Sequence, residues 1–414
     1  QDALVTFNGL VTLGGAFAEG SRPEIGRRSL VGFRGHFWNP PGVSLNGEFV
    51  VTEVEDARRF GDPVFGDTDI QLWTPRFAFD WHGKSWEVWG GRESNRWGPG
   101  RSGGLLLGGG AQPFGQVGYR AHLGTFITGT AIHGWLSQAE GRFVAFHRVE
   151  FNLGRGLRLG VGEGVRYDGG APEPLYLVNI APYAAVERLL TAEGAETADR
   201  DSLFRSNYMP AVDLHWTFAP GWAVYGELLV DDFKTSGEGP TRLAYQLGGT
   251  RVLEGRRRLT LQAEYTRVYN YTYSVFYGRD FYHAGQPLGY PLGPDLADLN
   301  AWADLDLDLA WTVTAHGFLT RRGEGNDGRP WCYLWQETDN PFGTDCQTLG
   351  DASGREMAGV IERRAGFEAG ARYAPRDNLF LEGAAGLELL ADEDHVEGAD
   401  ATHPTAWFRA AWRW

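Results

Sequence analysis

The chain has 414 residues and a formal net charge of −15, with Lys84 and Lys234 as its only lysines, a balance that argues against a nucleic-acid partner. Hydrophobic residues make up 42 %, and no run approaches the roughly 20 apolar residues that a membrane helix needs, so a helical membrane protein is excluded. The 59 glycines oppose a helical bundle, since each costs about 1 kcal/mol inside a helix relative to alanine.

The sequence opens QDALVTF and enters a strand at once over residues 4–14, the start expected of a processed, exported chain. Over 143–153, Phe143, Ala145, Val149, Phe151 and Leu153 alternate with Arg148, Glu150 and Asn152. Over 157–167 the apolar phase runs Leu157, Leu159, Val161, Val165, Tyr167, and Glu163 interrupts it. By parity Glu163 falls on the apolar side, so either a bulge shifts the register or an arginine pairs with it. Residues 174–190 break the two-residue period: from Pro182 the spacing of Ala185, Leu189 and Leu190 predicts a short amphipathic helix, placed on or in the mouth of the fold. Alternation returns over 257–268, where Leu259, Leu261, Ala263 and Tyr265 oppose Thr260, Gln262, Glu264 and Thr266. In ADLDLDLAW, 303–311, Asp304, Asp306 and Asp308 oppose Leu305, Leu307 and Leu309. Over 379–390, Leu379, Leu381, Ala385, Leu387 and Leu389 oppose Glu382 and Glu388, and the terminal PTAWFRAAWRW alternates to an aromatic end at Trp414.

A period of two sorts side chains onto two faces, which a helix does not do. These strands run 10 to 12 residues, longer than most globular strands and matched to the 9–11 residues with which a tilted strand crosses a bilayer. Short turns near 39–42, 82–85, 124–125, 154–156, 219–221, 254–256, Trp311–Thr312 and 374–378 alternate with longer connections, among them 93–115, 168–206, 269–298 and 323–355. The expectation is an all-β fold in one domain, 1–414: a transmembrane antiparallel up-and-down barrel of about eighteen strands. It would lie in a bacterial outer membrane against lipid and lipopolysaccharide, with both termini periplasmic. A closed barrel leaves no unpaired edge in hydrocarbon.

Cys332 and Cys346 lie close together in a loop without a zinc spacing. A disulfide there would be worth about 3 kcal/mol and imply an oxidising compartment; two unlinked thiols are the alternative. No nucleophile elbow, HExxH or Walker A motif occurs, the histidines form no metal spacing, and GGLLLGGGAQPFG lacks the Lys-Ser or Lys-Thr of a phosphate loop. No enzyme activity, metal or cofactor is expected.

RWGPGRSGGLLLGGGAQPF resembles the W-G-P-G…L-x-L…A-x-P-F signature of the capsule assembly Wzi family of outer-membrane proteins. PLGYPLGPDLADL is similar to the family's L-G-H-x-L-G-P-D segment, with Tyr290 where His is more usual. LGVGEGVRYDGG and PLYLVNIAPY resemble its G-x-x-E…Y-G-G and Y-L-x-P pieces, so the likeness spans about residues 90–300. Family members carry an N-terminal helical segment ahead of the barrel, and this sequence opens on a strand instead. The resemblance implies an eighteen-stranded barrel with folded-in loops that binds capsular or exopolysaccharide as a lectin does. Sugar recognition needs aromatic faces and planar polar groups. The outer loops offer Tyr273, Tyr277, Arg279, Asp280, Trp331, Trp335 and Glu337, although girdle or loop packing explains any single aromatic as well. Arg92, Glu93, Arg96 and Trp97 are expected in a loop folded into the lumen, with arginines meeting Asp304, Asp306 and Asp308 on the wall. A porin-like diffusion channel and a ligand-free structural barrel are the alternatives.

Overall fold

The computed structural model describes residues 4–8, 10–18, 31–39, 42–53, 70–137, 139–178, 182–193, 206–232, 241–275, 279–325, 354–376 and 379–413. Among these, eighteen strands form the wall. In chain order they are β1 (segments Leu4–Asn8 and Leu10–Ala18), β2 (Val31–Asn39), β3 (Val43–Glu53), β4 (Ile70–His82), β5 (Trp86–Glu93), β6 (Phe114–Leu123), β7 (Ile127–Ser137), β8 (Arg142–Gly154) and β9 (Leu157–Asp168). Then come helices α1 (Pro174–Val178) and α2 (Tyr183–Glu193). The wall resumes with β10 (Asn207–Ala219), β11 (Trp222–Asp232), β12 (Arg242–Leu253), β13 (Arg258–Val268), β14 (Leu296–Asp306), β15 (Trp311–Arg322), β16 (Glu362–Arg376), β17 (Leu379–Ala391) and β18 (Ala401–Arg413).

Every strand pairs antiparallel with its neighbours in this order. The ring closes through β1, whose first segment pairs with β2 (Leu4↔Trp38) and whose second pairs with β18 (Leu10↔Arg413). Among the described residues no strand is left with a free edge, which is what hydrocarbon demands of a sheet.

The two-residue period sorts the wall as the sequence predicts. Outward positions are apolar and bare: Leu247 is 59 % exposed, Phe367 58 %, Leu319 57 % and Phe408 54 %. Aromatic pairs gather where the connections are short. Trp81 meets Trp86 edge-on at 4.9 Å, Phe218 stacks on Trp222 at 6.2 Å, and Trp311 stacks on Tyr373 at 4.5 Å. This is one interfacial girdle, where amphipathic rings settle at the headgroup level. Turn chemistry agrees. Arg155 and Gly156 both have positive φ, 52° and 75°, as a two-residue hairpin with primed geometry requires. The chain's first and last described strands both start or end at this short-turn side of the barrel.

Three sequence expectations are corrected by the structure. The turn expected around Trp311–Thr312 lies earlier, over 307–310, because β14 ends at Asp306 and β15 begins at Trp311. Asp308 therefore leaves the wall and caps that turn, accepting the amides of Ala310 at 2.8 Å and Trp311 at 2.9 Å. Glu163 has neither a bulge nor an arginine. The β8–β9 register runs unbroken from Arg158 to Asp168, so Glu163 stays on the outward face with Val161. Its carboxylate instead pairs with His147 Nε2 on β8 and accepts the Tyr183 amide at 3.0 Å.

That contact explains the helices. Tyr176, Tyr183 and Val186 pack on Phe143, Ala145, Val165 and Tyr167, all outward-facing positions of β8 and β9. The amphipathic segment thus lies against the outside of the wall rather than in its mouth. A carboxylate on the outer face is tolerated because the helices cover it and an amide at the start of α2 binds it.

Candidate functional site

Two connections fold into the lumen. One is residues 94–113, between β5 and β6, and the other, described over 269–275 and 279–295, lies between β13 and β14. Leu105, Leu106 and Leu107 are 0–2 % exposed and join Phe146, Ile132 and Met209 of the inner wall in the main apolar cluster. The two loops also bind each other. Gly108 N of the first donates to Leu288 O of the second at 2.8 Å, while Trp97 N closes the first loop on itself through Leu107 O at 2.9 Å.

The grip on the wall is made by carboxylates. Glu264 on β13 is 1 % exposed. One of its oxygens accepts the Arg101 amide at 2.7 Å and the other the Ser102 amide at 3.0 Å. Tyr225 also donates to Glu264, at 2.7 Å, and Gln246 at 3.2 Å. Glu227 on β11 accepts the Leu105 amide at 3.0 Å, and Gln246 donates to Gly103 O at 3.2 Å. Amide donors of a glycine-rich loop suit acceptor oxygens, and here the acceptors are carboxyl oxygens of the protein itself.

Close approach explains the glycines. A Cβ on Gly100 would stand 1.8 Å from Gln246 Oε1, and one on Gly104 would stand 1.7 Å from Trp97 O. A Cβ at Gly100 would displace the end of the Gln246 side chain, whereas one at Gly104 would strike backbone that has nowhere to go.

Tyr273 is the joint between the two loops. Its hydroxyl donates to Leu105 O at 2.7 Å and accepts the Tyr290 amide at 3.0 Å. Its own amide donates to Asp231 on β11 at 2.9 Å. It holds φ at 74°, and Tyr271 at 69°, left-handed backbone that bulky residues rarely adopt. Tyr290 donates to Asp298 on β14 at 2.6 Å, and Thr320 reaches the other oxygen at 2.7 Å. Burial raises the Tyr273 and Tyr290 phenols well above their ordinary range, so both act as neutral donors.

The sequence-predicted residues divide accordingly. Tyr273 is fully buried and has no open face for a ligand. Arg279 pairs with Asp168 at the end of β9, 3.1 Å away, and Asp280 accepts the Val275 amide at 2.8 Å; both belong to the outer part of the second loop. Tyr277, Trp331, Trp335 and Glu337, and the Cys332–Cys346 pair, lie outside the described residues.

Arg96 bridges Gly108, and Trp97 sits edge-on to Phe146 at 5.9 Å, both within the plug as expected. Arg92 and Glu93 end β5 instead. Arg92 donates to Pro113 O at 3.1 Å and Glu93 pairs with Arg76. Of the three aspartates only Asp304 meets a plug arginine, and that arginine is Arg101, at 2.8 Å. Asp306 pairs with Arg258 on the next strand at 3.1 Å.

Glu227, Gln246 and Glu264 were missed as site residues. Inward parity was their only sequence signal, and many other inward polar positions share it.

Comparison with known proteins supports this architecture. The family described as capsule assembly protein Wzi matches residues 78–404. The structure superposes on Escherichia coli Wzi, which is described as a carbohydrate-binding β-barrel of the outer membrane involved in group 1 capsule assembly. The TM-score is 0.65 at 13 % identity, covering 97 % of this chain and 83 % of that one. It also superposes on the Pseudomonas aeruginosa outer membrane protein OprD, with a TM-score of 0.50 at 10 % identity, covering 99 % and 94 %. At these identities the likeness to solved structures is one of fold. No curated protein sequence matches the chain. The sealed ladder and apolar outer face make it an outer-membrane β-barrel, and the match over most of its length places the chain in the capsule assembly protein Wzi family.

Proposed function

We propose that the protein binds a surface polysaccharide of the capsule or exopolysaccharide class, in the manner of a lectin, at the long-loop end of its barrel. That end is taken as extracellular, with both chain ends periplasmic. The plug is the observation that supports this reading. Its two loops are sealed to each other and latched to buried wall carboxylates, so the interior serves as a scaffold rather than a passage. Family membership and the carbohydrate binding described for Escherichia coli Wzi point the same way. Binding, not catalysis, is the reading.

Ligand contacts are assigned to the outer part of the second loop, around Arg279 and Asp280, with Tyr277, Trp331, Trp335 and Glu337. These supply the planar polar groups and aromatic faces that hydroxyl-rich rings need. The test is retention of the detergent-purified protein on immobilised capsular polysaccharide, run beside conductance in planar bilayers. Retention with negligible conductance is the expected result. Stepwise conductance without retention would replace the proposal with a diffusion channel.

A further inference from the structure

Arg321 on β15 and Arg363 on β16 are direct cross-strand partners. Both lie on outward parity, in phase with the bare Leu319 and Phe367, and both are exposed. They stand at the long-loop end of their strands. Their ladder row continues to Ala297 on one side and Ala391 on the other, so neither flanking position carries an acid. Among the described residues, no hydrogen bond or ion pair engages either guanidinium. Like charges set directly opposite each other repel, and a sheet retains such a pair at a cost unless an anion sits between them.

The surface below the pair is apolar. One row further into the wall stand Leu319, 57 % exposed, and Leu389, 50 % exposed, with Ala365 between them. In the next row Gly317 lies beside Phe367, and a Cβ on Gly317 would meet nothing nearer than Gly366 O at 3.8 Å. The small residues leave a furrow between bulky ones, running from the arginines into the lipid-facing band. Two forked donors at the interface suit a phosphate, and an apolar furrow beneath suits the acyl chains attached to it.

We propose that Arg321 and Arg363 form a binding site for lipopolysaccharide, with a lipid A phosphate between the guanidiniums and its acyl chains along the Leu319–Phe367 furrow. The proposal rests on the orientation taken above, which puts these residues at the outer leaflet. It is independent of any glycan contact made by the loops.

Native mass spectrometry of the full chain in detergent micelles, titrated with diphosphoryl lipid A or with phosphatidylglycerol, tests it. Lipid A should bind the parent in preference, and the R321A/R363A variant should retain at least tenfold less. Ala297→Glu leaves both arginines in place but offers Arg321 an internal carboxylate, and it should weaken lipid A binding as well. Unchanged lipid A binding in both variants overturns the proposal. So does equal affinity of the parent for phosphatidylglycerol and lipid A, which would mean a generic phosphate contact. Polysaccharide retention measured on the same variants should not change; its absence in the parent would sink the glycan reading while leaving this one standing.

Discussion

Glu264→Ala should unlatch the plug. The carboxylate accepts four hydrogen bonds, from the amides of Arg101 and Ser102, from Tyr225 and from Gln246. Gln246 finds other partners nearby, keeping Thr266 at 3.0 Å and Gly103 O at 3.2 Å. The Tyr225 hydroxyl accepts from Gln262 at 2.8 Å but loses the acceptor of its own proton. The two loop amides lose theirs as well, and hydrogen bonds to a charged acceptor contribute about 1.5–3 kcal/mol each. Losing the two amide bonds costs about 3–6 kcal/mol. Removing a buried carboxylate returns part of its desolvation, which amounts to several kcal/mol per ion. The net of about 3 kcal/mol raises the undocked population of the first loop roughly a hundredfold. Trypsin cleavage after Arg101 reads that population directly when reclosure is faster than cutting. The variant should be cut about a hundred times faster than the parent, with intermittent conductance appearing in planar bilayers. A cleavage rate within twofold of the parent, from a barrel with unchanged circular dichroism, would refute the latch.

Gly104→Ala should displace the same loop, because the added carbon would stand 1.7 Å from Trp97 O, a backbone atom that cannot swing away; Gly129→Ala, with nothing within 4 Å, is the control, and conductance compares the two. Tyr273→Phe keeps the ring but strands Leu105 O and the Tyr290 amide, so it should lower unfolding stability in micelles by about 2–4 kcal/mol, as read by urea titration. Glu163→Ala should loosen α2 alone. Loss of the acceptor for the Tyr183 amide, worth about 1–2 kcal/mol, predicts roughly 5- to 30-fold faster hydrogen exchange over 183–193 with the wall strands unchanged. Arg101→Ala removes an ion pair whose side chains are 37 % and 25 % exposed, so it should change stability by no more than about 1 kcal/mol and leave the lumen shut.

The wall was legible in the sequence because a strand's period is local. Leu259, Leu261 and Ala263 opposite Thr260, Gln262 and Glu264 define two faces without knowledge of any partner, and residue spacing at Arg155–Gly156 sets the hairpin. The glycine-rich segment 98–110 was legible as something unusual, but its reason was not. Gly104 is required by the backbone of Trp97, and Gly100 leaves room for Gln246, which only the folded lumen brings to it. Asp308 shows the limit at a boundary: alternation continued past the strand's end, and the turn claimed the residue. Tyr273 shows another limit, since a tyrosine in a loop reads the same whether its ring faces a sugar or its hydroxyl joins two buried segments.

The alternation of faces, the strand number and the closure that hydrocarbon enforces can be read from local pattern. Which carboxylates hold the plug, where Glu163 finds its partner and that the helices lie outside emerge only on folding. The difference is one of range. Periodicity and turn chemistry act between residues a few positions apart, whereas Glu264 meets Arg101 across 163 positions of chain, a contact no local pattern encodes.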